Sequence, residues 1–598
     1  MIDCDVVIID SGANIDKNDG VAGVCITKSN CGFEVSKDFS DSIGHGTIIY
    51  SIVSKDIDCK KIFILKLGDN QAEFTTTYLF AALKFVKKNI NCKIINISLG
   101  VKTDDNLDQL YELCLELKQK GIIMVSAFDN DGSNSFPAAF DCVIGVDTKK
   151  NISNVAEFDY VENSALNVLA KGTIQRIKIN DGNVLLVGGS SIACAHITSI
   201  LLRNIEYMSD HETALLYLKS KAKYIYPSNE KEINSDNNLP FPIANAIIFP
   251  FSKEAHAFVR FSDMTPFYIK DYYDVRYSGK IGRKITSYFS EYKEEKHIKD
   301  IDKIDFTGVD TIILGHLDEI NMLLKRDYRL ELINQAIKMK LNIYSFDPLD
   351  RYVDLLESSG VKYFYPKITK NNVPQNTFGK LYKISKPVVG IFGTSSQQGK
   401  FSLQITLKRE LEIKDYSVGT VGTEPHSLLF GFDVIFPMGY NSTVSLQNSD
   451  IVLYLNHEIN KLCMKKREII IVASQAQTVP FRYNNLMEFP TMQYHFALGT
   501  TPDAIILCIN YHDEISYIRN TVYSLSGLTD ANVIALVMYP ITFSNNWNGI
   551  YGESKHVITD DEFLRKKGML QNEFNIPVFL LGEKQDMESL CQVIIDYF

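Results

Sequence analysis

The stretches that decide the fold of this chain's first third are VVIIDSG (residues 6–12), GHGT (44–47) and GGSSIACAH (188–196). They contain Asp10, His45 and Ser191, in that order. A serine hydroxyl becomes an effective nucleophile only when a base accepts its proton and a carboxylate orients that base. The three motifs together supply these groups. Each motif alone is equally typical of a strand end, a turn or the start of a helix in an inert α/β domain.

Apolar runs alternate with amphipathic stretches around these motifs. The strand-like runs are VVIID, KIFILKL, KIINISLG, GIIMVSA and CVIGV. Between them, TTTYLFAALKFVKKNI and NLDQLYELCLELKQKG carry apolar residues at helical spacing. This strand–helix–strand rhythm predicts an α/β fold with a doubly wound parallel sheet over residues 1–225.

Two further α/β regions are predicted. The polar stretch YPSNEKEINSDNNLP ends in proline and predicts a linker, which we place at residues 226–243. A second rhythm begins at ANAIIFPF and predicts an α/β domain over 244–385. A third begins at KPVVGIFGTSSQQGK and predicts another α/β domain over 386–598.

Charge, hydropathy and cysteine content argue against several classes of protein. The chain of 598 residues has a formal net charge of −10 and no long basic run, which argues against nucleic acid as a partner. It has no stretch of about 18 apolar residues, so we expect no membrane span. Its start lacks the pattern of a signal peptide, and its 11 cysteines follow no disulfide framework. We therefore expect a cytoplasmic protein with reduced thiols.

Residues 1–205 resemble the subtilisin-like (S8 family) serine proteases, whose catalytic residues follow the chain order Asp, His, Ser. The residues that the resemblance implies as catalytic are Asp10, His45 and Ser191. Two positions in the serine motif depart from the family pattern, since Ser190 replaces the usual Thr and Ala195 the usual Pro. His196, beyond the turn that carries the nucleophile, is expected to be structural.

Two stretches between the motifs extend this resemblance. VSAFDNDG resembles the segment that supplies an amide to the oxyanion, and it places Asn130 at that position. INISLG resembles the strand beside the substrate cleft, and the substrate-binding residues it implies are Ser98, Leu99 and Gly100. Asp129 stands where the family usually has Gly. An acidic side chain there would hinder oxyanion formation, select basic substrates or face solvent.

The stretch GIFGTSSQQGKFS follows an apolar strand and precedes a helical pattern. This is the setting of a loop that holds phosphate with backbone N–H groups and a lysine, although an ordinary Gly-rich turn is the alternative. Its spacing resembles the GTxxxxGK loop of dethiobiotin-synthetase-like P-loop proteins. The nucleotide-binding residues predicted are Gly393, Thr394, Gly399, Lys400 and Ser402.

Residues 244–598 resemble a clostridial peptide-maturation system protein. The stretches that carry this resemblance are IIFPFSKEAHAFVRFSDM, FGTSSQQGKFSLQ, GTEPHSLLFGFDVIFPMGYNS and LGTTPDAIILCIN. The family accompanies genes for small Cys-rich ribosomal peptides. It is similar to a broader group that pairs a Rossmann-like domain with a P-loop domain. The resemblance therefore implies a Rossmann-like domain at 244–385 and a P-loop NTPase-like nucleotide-binding domain at 386–598.

Several residues of this half bear on its chemistry. Phe401 stands at the usual Mg²⁺-ligand position, and Ala473 replaces a Glu of the broader group. The cofactors expected are ATP or GTP and Mg²⁺, for which the sequence assigns no ligand. Hydrolysis is expected to be slow. Glu424 and His426 either approach the phosphates or lie in a solvated loop. Asn510 either forms a hydrogen bond with the base of the nucleotide or is a turn residue.

Together these patterns predict a cytoplasmic serine endopeptidase that processes a ribosomally synthesised, bacteriocin-like, Cys-rich precursor peptide and carries a nucleotide-binding module. One alternative is a nucleotide-dependent peptide-modifying ligase or acyltransferase whose degenerate protease domain binds peptide. Another is a nucleotide-gated regulatory or defence protease. The partners expected are the precursor peptide and peptide-modifying enzymes of the same pathway, with no nucleic acid.

Overall fold

The structure is a computed structural model. It describes residues 1–598 except 16–19, 30–31, 56–60, 69–74, 102–106, 131–133, 163, 180–181, 228–238, 286–294, 440, 466, 482–483, 485–488 and 545–553. Most of the predicted linker, 226–243, thus lies outside the described residues. The chain folds into two compact units: Met1–Lys231 with Pro374–Lys383, and Glu232–Val373 with Ile384–Phe598.

The first unit is built on a ten-stranded sheet. In spatial order its strands are Tyr224–Tyr226, Phe158–Val161, Val168–Ala170, Ile144–Thr148, Ile123–Ala127, Ile94–Ile97, Val6–Asp10, Ile62–Leu67, Ala22–Ser29 and Gly32–Ser36. The neighbouring strands from Ile144–Thr148 to Ala22–Ser29 are all parallel. Strands in the middle of such a sheet are covered on both faces, which is why Val6–Asp10 and Ile62–Leu67 are buried throughout.

Helices cover both faces of this sheet. They are His45–Val53, Thr76–Asn89, Leu107–Gln119, Ser190–Arg203 and His211–Lys221. Thr76–Asn89 buries Leu79, Ala82, Leu83 and Val86, whose spacing forms one apolar stripe. That helix and Leu107–Gln119 pack into the core on one face, and the other three helices pack into the core on the opposite face. The predicted doubly wound α/β fold is confirmed.

The second unit contains two fully parallel sheets. The six-stranded sheet has the spatial order Lys299–Asp300, Tyr268–Asp274, Asn245–Phe249, Thr311–Leu314, Asn342–Ser345 and Tyr363–Phe364. The seven-stranded sheet has the order Val434–Ile435, Val418–Gly422, Ile469–Ala473, Val388–Gly393, Ala504–Ile509, Asn532–Met538 and Val578–Leu580. These sheets confirm the predicted Rossmann-like and P-loop folds.

Helices connect the strands of both sheets. Those of the six-stranded sheet are Ala255–Arg260, Asp318–Leu324, Tyr328–Met339 and Val353–Ser359. Those of the seven-stranded sheet are Lys400–Ile413, Ser449–Met464, Thr491–Thr500, Ile515–Thr529, Asp560–Phe574 and Lys584–Tyr597. Among the described residues, no helix combines the length and the apolar character needed to cross a membrane.

Candidate active site

Asp10, His45 and Ser191 lie on three separate elements of the first unit. Asp10 ends the strand Val6–Asp10, His45 begins the helix His45–Val53, and Ser191 is the second residue of the helix Ser190–Arg203. That last helix is buried along nearly its whole length, so it holds Ser191 rigidly. The sheet thus brings together groups that are far apart in sequence.

These side chains form a continuous hydrogen-bonded chain. His45 Nδ1 lies 2.8 Å from Asp10 Oδ1, and His45 Nε2 lies 3.0 Å from Ser191 Oγ. Asp10 is buried, and its Oδ1 also accepts the Ser11 backbone N–H at 2.7 Å. With Nδ1 donating to the carboxylate, Nε2 is the nitrogen that can accept the Ser191 proton. The structure therefore brings together the predicted Asp, His and Ser of the triad.

The close packing around His45 depends on Gly46. A Cβ atom on Gly46 would lie 2.1 Å from the carbonyl oxygen of Gly12 and 3.1 Å from Asp10 Oδ1. The GHGT motif thus places a residue without a side chain where the helix start meets the aspartate strand. Any larger residue would push His45 away from Asp10.

Asp41, which the sequence analysis did not identify, fixes the start of the His45 helix. Its carboxylate is buried and accepts the backbone N–H of Gly44 at 2.8 Å and of Thr47 at 2.8 Å. It also accepts the hydroxyls of Thr47 and, at 2.9 Å, of Ser11. Burial alone would raise the pKa of Asp41, but these hydrogen bonds outweigh it and lower the pKa. The sequence signal that could have identified Asp41 is an acidic residue shortly before the GHGT motif.

The electrostatic balance at His45 favours its protonated form. Burial lowers the pKa of His45, whereas the charge of Asp10 and the hydrogen bond to it raise the pKa by more, and Asp41 adds a smaller effect. The His45 pKa therefore lies above its usual value of 6.5. Stabilising the imidazolium is useful, because that form appears once Ser191 has lost its proton.

Asn130, the predicted oxyanion donor, lies beside the serine motif. Its Oδ1 accepts the backbone N–H of Ser190 at 2.8 Å and lies 3.1 Å from the Ser190 hydroxyl oxygen. The Ser190 hydroxyl also donates to the carbonyl of Phe128. With Oδ1 directed at Ser190, the Nδ2 amide is the part of Asn130 that can donate to an oxyanion. The Ser190 hydroxyl is thus held by Phe128 and Asn130, whereas the hydroxyl within hydrogen-bond distance of His45 is that of Ser191.

The predicted substrate-cleft residues follow the strand Ile94–Ile97. Ser98 is buried and its hydroxyl accepts from Asn96 Nδ2 at 2.7 Å, so its side chain is turned into the protein. Leu99 packs against the core. At Gly100 a Cβ atom would lie 2.6 Å from the side chain of Ser135. Any contact that this segment makes with a peptide would therefore involve mainly its backbone.

In the second unit, the loop GTSSQQGK connects the strand Val388–Gly393 to the helix Lys400–Ile413. Gly399 has a φ of 74°, and a Cβ atom there would lie 2.4 Å from Leu581, so glycine is required. The ammonium of Lys400 donates to the Ser395 carbonyl at 2.7 Å. Burial lowers the pKa of Lys400 to about 8. A phosphate at this helix start would stabilise the ammonium of Lys400 and accept hydrogen bonds from backbone N–H groups.

Gln398 and Asp513, which sequence reasoning missed, stabilise this loop through hydrogen bonds with Thr394. The hydroxyl of Thr394 donates to the carboxylate of Asp513, and Gln398 Nε2 donates to that hydroxyl at 2.5 Å. Asp513 also accepts the backbone N–H of Asn510 at 2.7 Å. Asn510 Oδ1 in turn accepts the N–H of His512, which makes Asn510 a turn residue. Thr394 therefore serves loop geometry here.

The residues after Lys400 fit phosphate better than a directly bound metal. Phe401 offers no hydroxyl, and the hydroxyl of Ser402 accepts from the guanidinium of Arg260. Within the described ranges, no group of three or more His, Cys, Asp or Glu side chains is arranged to hold a metal ion. The loop thus provides a phosphate cradle, whereas its usual Mg²⁺ hydroxyl is absent.

A cavity of about 380 Å³ opens beside this loop, and Glu424 and His426 line it together with Lys400. His426 is 2% exposed, which rules out the solvated loop considered above. No partner for either ring nitrogen of His426 occurs among the described residues. Burial lowers the pKa of His426 to about 3. It also raises the pKa of Glu424, so burial disfavours the charged form of both His426 and Glu424.

A second cavity, of about 400 Å³, lies at the carboxyl ends of the six-stranded sheet. His316 lines it, and its Nδ1 lies 2.6 Å from the buried Asp347. Asp347 also accepts from Arg329 and from the Leu317 N–H. Lys253 lines both cavities, so the two cavities are neighbours. The imidazole of His316, which Asp347 orients, therefore lies close to the P-loop site.

The first unit thus has the fold and hydrogen-bonded triad of a serine hydrolase, and the second has the loop of a P-loop protein. The family model of the subtilases, peptidase S8, matches residues 6–237. The model of DUF1611_C, a P-loop domain of unknown function, matches residues 376–586. The chain therefore carries a subtilase-family domain followed by a DUF1611 P-loop domain.

Individual relatives match parts of the chain. Proteinase T of Parengyodontium album is 25% identical over 178 residues, which is 27% of this chain and 58% of that protein. A cold-adapted subtilisin-like serine proteinase of known structure is 18% identical, with a TM-score of 0.30 over 37% of this chain and 84% of its own. A DUF1611 family protein from Anabaena variabilis is 12% identical, with a TM-score of 0.40 over 59% of this chain and 100% of its own.

Proposed function

We propose that the first unit is a serine endopeptidase. The observation that carries this proposal is the chain of hydrogen bonds from Asp10 through His45 to Ser191, with distances of 2.8 and 3.0 Å. Such a chain supplies a nucleophile, a base and an orienting carboxylate in working order. The subtilase-family match over residues 6–237 supports peptide bonds as the substrate.

The reaction follows from the positions of these groups. Ser191 Oγ attacks the peptide carbonyl while His45 Nε2 accepts its proton, and Asp10 holds the imidazolium. Asn130 Nδ2 donates to the oxyanion that forms. His45 then gives the proton to the leaving amine, and the peptide bond breaks. A water molecule, deprotonated by the same imidazole, releases the acyl group from Ser191.

We further propose that the substrate is the precursor of a ribosomally made, Cys-rich peptide. The support is the resemblance of residues 244–598 to a clostridial peptide-maturation protein, in the stretches quoted above. The described cysteines are free thiols, which suits a reducing, cytoplasmic setting. Enzymes that modify the same precursor are the natural partners of such a protease.

We propose that the second unit binds ATP or GTP. Support comes from Gly399 and Lys400 at the helix start, which provide backbone N–H groups and a cation for phosphate. Phe401 and the occupied hydroxyl of Ser402 disfavour a directly held Mg²⁺ and rapid hydrolysis. If Mg²⁺ accompanies the nucleotide, it would be held mainly by phosphate oxygens and water.

One observation favours a second activity, in which the protein modifies a peptide by nucleotide-dependent ligation or acyl transfer. His316, oriented by Asp347, lines the cavity that adjoins the P-loop cavity at Lys253. An imidazole held in this way could accept a proton from an attacking hydroxyl or amine. Peptide that gains mass only with nucleotide, and not with His316→Gln, would support this activity.

The experiment that tests the peptidase is mass spectrometry of candidate precursors incubated with the full chain. We expect cleavage at a defined bond by wild type and none by Ser191→Ala. The matched control is Ser190→Ala, which should cleave at the same bond, more slowly, because it loses the hydrogen bond to Phe128. Cleavage by Ser191→Ala equal to wild type would refute the assignment of the nucleophile.

A further inference from the structure

A segment from the middle of the chain, Pro374–Lys383, completes the first unit. We call it the inserted segment. Near its start, Asn376 Nδ2 donates to the Pro227 carbonyl at 2.9 Å. The ring of Phe378 meets the ring of Tyr226 edge to face, with centroids 5.1 Å apart. The subtilase-family match ends at residue 237, so this segment lies outside the matched domain.

The inserted segment buries a charged side chain in the first unit. The side chain of Lys380 is 1% exposed, and its Nζ lies 3.2 Å from Asp147 Oδ2. The same ammonium lies 4.8 Å from the centroid of the Phe128 ring. Burial of a lysine is costly unless its charge is compensated, and here a carboxylate and an aromatic face compensate it. Next in the segment, the Leu381 carbonyl accepts from Asn134 Nδ2.

These contacts fall on both sides of the predicted oxyanion donor. Phe128 precedes Asn130 by two positions, and Asn134 follows it by four. The carbonyl of Phe128 accepts the hydroxyl of Ser190, and Asn130 Oδ1 accepts the Ser190 N–H at 2.8 Å. A shift of Phe128 would therefore move both Asn130 and the residue next to the nucleophile.

We propose that Lys380 is a positioning residue of the protease: with its neighbour Leu381 it holds Phe128 and Asn134, on either side of Asn130, so that Asn130 can donate to the oxyanion. This inference rests on the proposed peptidase function and adds to it a requirement for a residue from the second half of the chain. The contacts described for Lys380 are with Asp147 and Phe128, so it acts on the oxyanion site through Phe128 and Asn130. The protease domain by itself, residues 1–231, would lack this support.

The size of the effect follows from how oxyanion donors work. Loss of one such donor lowers kcat by roughly 10²–10³-fold, and a displacement of about 1 Å can cost roughly 10²-fold. Lys380→Met keeps the apolar stem and removes the charge, so Asp147 loses its partner and the ring loses its cation. We expect kcat to fall by about 10- to 100-fold, with KM nearly unchanged.

The test is a double-mutant cycle in the full-length protein. Lys380→Met is measured alone and in an Asn130→Ala background, and Lys370→Met, at an exposed lysine, is the matched control. We expect Lys380→Met to lower kcat in wild type but hardly at all once Asn130 is absent, because both changes remove the same interaction. Equal losses in both backgrounds, or a rise in KM alone, would overturn the proposal.

Hydrogen exchange gives a readout that does not need activity. Peptides covering 124–140 should exchange faster in Lys380→Met, and peptides covering the helix Ser190–Arg203 should change less. Unchanged exchange in 124–140 would overturn the proposal. If Lys380→Met fails to fold, Asp147→Asn removes the partner charge instead, leaves the buried ammonium without its carboxylate, and should show the same pattern. A wild type that fluorophosphonates do not label would refute the peptidase function, whereas exchange would still decide whether Lys380 holds this stretch.

Discussion

Replacement of Asn130 by Ala tests the proposed oxyanion site in quantitative terms. The side chain makes two separable contributions, because Oδ1 accepts the Ser190 N–H at 2.8 Å while Nδ2 is left to donate to an oxyanion. Loss of the donor should lower kcat by roughly 10²–10³-fold, equivalent to about 2.7–4 kcal/mol of transition-state stabilisation. KM should change little, because the donor acts on charge that develops only in the transition state.

Loss of Oδ1 has a different consequence. It leaves the N–H of Ser190, a 2% exposed residue, without its acceptor, which should lower the free energy of unfolding by about 1–3 kcal/mol. Asn130→Asp separates the two effects, because it keeps the acceptor and removes the donor. We therefore expect Asn130→Asp to be at least as slow as Asn130→Ala but closer to wild type in stability.

The assays are steady-state cleavage of a precursor peptide and urea unfolding of the same preparations. Asn151→Ala, at an exposed asparagine of the same unit, is the control and should match wild type in both. A rise in KM with unchanged kcat for Asn130→Ala would refute the reasoning. It would show that this side chain contacts the substrate in its ground state.

Three further predictions concern charged groups, and a fourth concerns the rate of nucleotide hydrolysis. His45 must be neutral to accept the serine proton, and its pKa is raised above 6.5. We therefore expect kcat/KM to fall as the pH drops through a midpoint above 6.5. A midpoint below 6.5 would contradict this prediction. Asp129→Gly should preserve or increase kcat, because it removes a negative charge next to the oxyanion donor, and a loss of more than about tenfold would show that Asp129 has a positive role. Lys400→Ala should weaken the binding of ATP and GTP in calorimetric titrations, whereas Lys414→Ala, at an exposed lysine after the same helix, should not. Wild-type hydrolysis should remain far below roughly 1–100 s⁻¹, and turnover within that range would refute the slow-hydrolysis prediction.

The sequence identifies the triad because each member lies in a short local motif. Asp10 ends an apolar run, His45 follows a glycine at a helix start, and Ser191 lies at the start of a long apolar helix. Strand ends and helix starts can be located from local patterns, and a doubly wound sheet brings such ends to one edge. The triad geometry therefore follows from the motifs once the fold class is known.

Other parts of the sites depend on contacts between distant residues that have no local signature. Lys380 resembles any other lysine until the fold places it beside Asp147 and Phe128. Asp513 meets Thr394 only because the strands that precede them, Ala504–Ile509 and Val388–Gly393, are neighbours in the sheet. Such contacts depend on which loops the topology brings together, and spacing along the chain does not encode that.

Labelling by a fluorophosphonate tests most directly whether Ser191 is an activated nucleophile. The full-length protein would be treated at a pH above the His45 pKa, and intact mass and peptide mapping would locate the adduct. We predict one adduct per chain on Ser191, none in Ser191→Ala, and retained labelling in Ser190→Ala. An unlabelled wild type, or an adduct that persists in Ser191→Ala, would contradict the account.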